Sequence, residues 1–65
     1  MTIVYQGTAE ETNAPTVGAF LAGKGVAEGT AVVEFQGMIH APGDSLDIPL
    51  ADGAALNAFR IVAGG

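Results

Sequence analysis

Cysteine and tryptophan are absent from this 65-residue chain. Without cysteine there is no disulfide framework, no thiolate metal site and no cysteine nucleophile. Basic residues are nearly absent too. Lys24 and Arg60 stand against seven acids, for a formal charge of -5. Two cations neutralise too few phosphates for nucleic-acid binding. The same shortage weakens attachment to an anionic membrane surface. Histidine occurs once, as His40, too little for a multi-histidine metal site or a well-partnered Ser-His-Asp triad. No apolar run approaches the roughly 20 residues of a transmembrane helix. No basic segment precedes an apolar stretch at the start, so no signal peptide is expected. These absences predict a cytoplasmic protein whose acidity serves solubility or docking on a basic partner.

What is present predicts a folded domain. Apolar residues make up 49% of the chain and charged residues only 14%, which is too apolar for disorder. A domain this small is marginal, so its fold should be regular or partner-assisted. Met1 to Gly7 is short, β-branched and aromatic, and reads as a strand with Ile3 and Tyr5 on one face. Gln6-Gly7 reads as the turn into a returning strand within Thr8 to Asn13. Pro15 breaks the strand pattern and Thr16 is a candidate N-cap. Val17, Phe20 and Leu21 then form one helical stripe. Gly23 and Gly25 are candidates for ending that helix, with Lys24 suited to its negative end.

Ala31 to Phe35 alternates as a strand, with Val33 and Phe35 inward and Val32 and Glu34 outward. Gln36-Gly37 closes it, and Met38 to His40 is a further extended piece. Ala41 to Pro49 reads as loop, Asp52-Gly53 as a turn, and Ala54 to Val62 as the last strand. Leu56 and Ala58 should face the helix, and Asn57, Phe59 and Ile61 should face away. The order predicts an α+β fold: a mixed sheet of four to five strands with one main helix packed across it. The first and last strands should pair in parallel at its centre. Residues 1–62 form the expected domain, and 63–65 an expected flexible tail.

Catalytic constellations are scarce. The GxGxxG and GxxxxGK[ST] phosphate loops are missing. Gly23-Lys24-Gly25 follows a helix rather than opening one. Glu10 and Glu11 should point to opposite sheet faces, and Asp44 and Asp47 read as turn-capping acids. A core of this size leaves little room for an active-site cleft. An enzyme is therefore not expected, and neither a bound cofactor nor a metal site is.

The C-terminus carries the most suggestive chemistry. A carboxylate on Gly65 is a poor electrophile until ATP converts it to an acyl-adenylate. An activating site must approach the backbone closely, and Gly64 removes the side chain that would obstruct it. A chain without a thiol can then carry sulfur as a thiocarboxylate on Gly65.

The sequence resembles the small ubiquitin-like sulfur carriers, most closely the thiamine-biosynthesis type, ThiS. The resembling pieces are Met1-Thr2-Ile3-Val4-Tyr5, Thr16-Val17 with Phe20-Leu21, and Ala31 to Phe35 with Gln36-Gly37-Met38-Ile39. Leu50-Ala51-Asp52-Gly53 and the ending Val62-Ala63-Gly64-Gly65 complete them. The chain departs from the family at His40-Ala41-Pro42-Gly43, where Val-Pro-Arg is common, and at Asp52-Gly53-Ala54, where Asp-Gly-Asp is common. The resemblance implies a β-grasp fold and a sulfur-carrier function. It implies a ubiquitin-activating-type adenylyltransferase (ThiF- or MoeB-like) that uses ATP, and a sulfur donor such as a cysteine desulfurase or rhodanese. It also implies an acceptor synthase, thiazole synthase first among them. MoaD-like carriers serving homocysteine, cysteine or molybdopterin synthesis, a ubiquitin-like protein modifier and a non-covalent binding module are the alternatives. Gly65 is the expected reacting residue, with Gly64 and Ala63 giving access to it. Phe59, Ile61, Val62 and Glu34 are the expected partner contacts, an exposed aromatic being a favoured interface anchor.

Overall fold

The structure, a computed structural model, describes residues 1–61. Five strands and one helix follow in the order β1 (Thr2–Tyr5), β2 (Thr8–Glu11), α1 (Val17–Gly23), β3 (Ala31–Phe35), β4 (Met38–His40) and β5 (Ala55–Arg60). They form one mixed sheet in the order β2-β1-β5-β3-β4. The last strand is therefore central, parallel to β1 and antiparallel to β3. Among the described residues no helix is long and apolar enough to cross a membrane.

Two hairpins flank β5 and turn on the same dipeptide. Gln6 and Gly7 have φ values of 52° and 82°, and Gln36 and Gly37 have 52° and 80°. Positive φ at both central residues marks a type I′ turn, whose twist suits adjoining strands. The second strand ends at Glu11 rather than Asn13. Past it, Thr12 and Met1 still exchange backbone bonds at 2.9 and 3.0 Å.

The helix start is fully satisfied. Thr16 Oγ1 accepts from Ala19 N–H at 3.1 Å. Val17 N–H donates to Ile48 O and Gly18 N–H to Leu46 O, each at 2.9 Å. Helices leave their first N–H groups unpaired; here a threonine and a returning loop take them. The helix end is a Schellman motif. Gly25, at φ 79°, donates to Ala22 O, and Val26 donates to Leu21 O. Gly25 is thus the terminating glycine, Lys24 is the C-cap, and Gly23 remains helical.

The helix buries Val17, Phe20 and Leu21 against Ile3, Val33, Phe35, Leu56 and Ala58. Tyr5 is half-buried and meets Phe20 edge-on, with ring centroids 5.1 Å apart. Lys24 Nζ lies 5.5 Å from the Tyr5 ring and 5.4 Å from that of Phe20, and it pairs with Glu10. Glu11, on the opposite sheet face, accepts from Thr2 Oγ1. Leu50 and Ala54 also enter the core. The segment 41–50 is therefore not a passive loop. Leu50 N–H donates to Pro15 O at 3.3 Å, and Thr16 bridges to Pro49. This strap closes the core beside the helix.

Candidate functional site

The alternation of β5 decides what each face presents. Leu56 and Ala58 are buried under the helix, while Phe59 is 56% exposed on the opposite face. Phe59 stands opposite Val32 in β3, and Asn57 opposite Glu34. Glu34 also faces Ile39 of β4. The face away from the helix thus gathers Val32, Ile39 and Phe59, and Ile61 follows the last residue of β5. Ile39 and Ile61 are 61% and 52% exposed. An aromatic against a β-branched neighbour adds roughly 0.2–1 kcal/mol to strand pairing. That is small beside the cost of leaving so much apolar surface in water, and such patches mark interaction surfaces.

Glu34 lies within this apolar ring. Its Oε1 accepts from Asn57 Nδ2 at 3.0 Å, and it makes no ion pair among the described residues. Both basic side chains are engaged on the helix side. Lys24 binds Glu10, and Arg60 Nη2 donates to Gly25 O at 3.0 Å. The outer face is consequently apolar and acidic, which suits a partner carrying a basic group amid apolar surface.

Just past β5, the Ile61 N–H donates to Thr30 O at 3.0 Å. The strand itself ends at Arg60, two residues earlier than Val62. Of the predicted contacts, Phe59 and Glu34 share one face, and Ile61 is exposed just past the end of β5. Val62, Ala63, Gly64 and Gly65 lie outside the described residues. Sequence reasoning missed Ile39 as a member of this face. The signal was available: a two-residue turn at Gln36-Gly37 pairs Ile39 with Glu34, and paired residues share a face.

No group of three or more potential metal-ligating side chains occurs among the described residues. A groove of about 540 Å³ opens on the helix side, between α1 and the segments 25–29 and 41–47. Its volume arises because neither segment has regular structure to close over the small side chains of Ala22 and Ala31. Comparison with protein-family models, with characterised proteins and with solved structures returns no match.

Proposed function

We propose that this chain is a sulfur carrier of the ubiquitin-like type, with a β-grasp fold. The sheet order, with the last strand central and parallel to the first, supports the fold reading. The observation that carries the functional reading is the exposed Phe59 of β5, which lies on the outer face beside Glu34. The exposed Ile61 follows the strand, and in the sequence it stands within four residues of Gly64-Gly65. A partner that grips this face binds the chain only a few residues, in sequence, from Gly65.

In this reading the chain is a co-substrate. A ThiF- or MoeB-like adenylyltransferase docks on Phe59 and Ile61 and places a basic group on Glu34. Val62, Ala63 and Gly64 pass through the enzyme's channel. A carboxylate oxygen of Gly65 attacks the α-phosphorus of ATP, and pyrophosphate leaves. A persulfide of a desulfurase- or rhodanese-type donor then attacks the Gly65 carbonyl and displaces AMP, forming an acyl disulfide. A second thiol of the partner cleaves its S–S bond, so that a partner disulfide forms and the thiocarboxylate is released. An acceptor synthase takes the sulfur, and thiazole formation is the reading that the family resemblance favours.

The adenylation step is tested by ATP–pyrophosphate exchange with the activating enzyme of the same organism. Exchange that depends on this chain and is lost on deleting Gly65 supports the proposal. Exchange unaffected by that deletion overturns it.

A further inference from the structure

The groove on the helix side lies across the molecule from the face assigned to the activating enzyme. Its floor is apolar and partly sealed: Leu21, Ala31 and Val33 are buried, and Val26 and Leu46 are half-buried. Its charged lining is entirely acidic, consisting of Glu28, Asp44 and Asp47. Neither basic side chain of the chain lines it. Arg60 approaches only through the Gly25 carbonyl. Its volume falls within the roughly 300–1,000 Å³ of binding pockets.

The walls are shaped but not joined. One wall is turned at Gly29, with φ 80°, and Thr30 N–H donates to Ala27 O at 3.2 Å. The other is clasped by Ala41 N–H to Asp44 Oδ2 at 2.8 Å, and by Asp44 N–H to Ala41 O at 3.0 Å. Its far end is held to the helix by Gly18 N–H to Leu46 O. No hydrogen bond links segment 25–30 to segment 41–47. The groove can therefore widen without breaking the bonds that shape its walls.

The geometry points to a second docking site in this groove. Its occupant is a protein segment that inserts an apolar side chain and brackets it with lysine or arginine. Charge complementarity selects that chemistry. The floor suits an apolar anchor, and three carboxylates that make no ion pair among the described residues suit positive flanks. A phosphate-bearing surface, lipid or nucleic acid, meets the same acids and is repelled. The inference does not depend on the sulfur-carrier reading. If both hold, the chain can contact two partners from opposite sides.

The test is an amide-resolved NMR titration of the full chain with the hexapeptide amide Lys-Leu-Phe-Lys-Leu-Arg. The neutral analogue, with glutamine at each basic position, is the control. Shifts should concentrate at Gly18, Ala22, Gly29 and Leu46. Affinity should fall about threefold or more for the neutral peptide, and likewise for Glu28→Gln/Asp47→Asn, as expected for exposed charge pairs. Neither replaced side chain accepts a hydrogen bond within the described residues, so the fold should persist. Phe59→Ala should leave this binding unchanged. Shifts confined to Val32, Ile39 and Phe59 would overturn the site, as would no shifts at millimolar peptide. Equal affinity for the charged and neutral peptides would overturn the assigned chemistry.

Discussion

The side chain of Gln6 serves Ala58 as a substitute strand. Its Nε2 donates to Ala58 O at 2.8 Å, and its Oε1 accepts from Ala58 N–H at 3.2 Å. Strand β1 ends at Tyr5, where the chain turns away, yet β5 continues to Arg60. The amide of Gln6 fills the place that the next β1 residue would have taken. Gln36 does similar work on the other side, where its Oε1 accepts from Ala55 N–H at 3.0 Å.

This relationship sets two effects against each other at Gln6. Asparagine suits the positive φ of a type I′ turn better than glutamine, but it is one methylene short of Ala58. Each bond is worth roughly 0.5–1.5 kcal/mol. Gln6→Asn should therefore destabilise the domain by about 1 kcal/mol in urea unfolding. A stabilised Gln6→Asn protein would mean that the turn outweighs the bonds.

Gly18 tests the strap. A Cβ there would meet Leu46 O at 3.2 Å and Leu46 Cβ at 3.3 Å. Alanine in a helix interior normally gains about 1 kcal/mol over glycine. The tight contact should cancel that gain, so that Gly18→Ala is neutral or mildly destabilising in thermal unfolding. A full 1 kcal/mol of stabilisation would show that the 46–48 strap yields freely.

Much of this fold is legible in the sequence because its signals are local. Tyr5-Gln6-Gly7, the Thr16 cap and the alternation from Ala31 to Phe35 each dictate their own geometry. The strap is not legible in this way. Leu46, Ile48 and Leu50 alternate, but Pro49 and the surrounding turn residues mask the pattern, and their partners lie about thirty residues back at Pro15 to Gly18. The outward position of Phe59 follows from the period of two once Leu56 is placed inward. The groove depends on how two irregular segments fail to meet, and periodicity carries no such information.

Phe59 should matter to binding and little to folding. More than half its surface is exposed, and Val32 is its cross-strand neighbour. Phe59→Ala should weaken binding of the activating enzyme by about 1 kcal/mol or more, as expected for an aromatic anchor. It should cost under about 1 kcal/mol of stability. Unchanged affinity in calorimetric titration would remove Phe59 from the interface.

Leu56 is the opposite case. It is fully buried on the central strand. Leu56→Ala should cost about 2–5 kcal/mol, a large share of the stability of a small domain. Circular dichroism should show a largely unfolded or sharply less stable chain, and a near-native melting curve would contradict the assigned core.

In the proposed sulfur-carrier function, Gly64 gives access to Gly65 rather than reactivity. Gly64→Val should leave the sheet and helix intact while blocking adenylation, because a β-branched side chain narrows the approach to the Gly65 carbonyl. Pyrophosphate release at the wild-type rate from a folded Gly64→Val protein would mean that the glycine pair serves another purpose.

Sulfur loading is read from the intact mass of the 65-residue chain after incubation with ATP, a sulfur source and its activating enzyme. The expected result is a mass gain equal to one sulfur replacing one oxygen, located by fragmentation to Gly65 and absent without ATP. An unchanged mass, with an enzyme shown to charge another carrier under the same conditions, would contradict it.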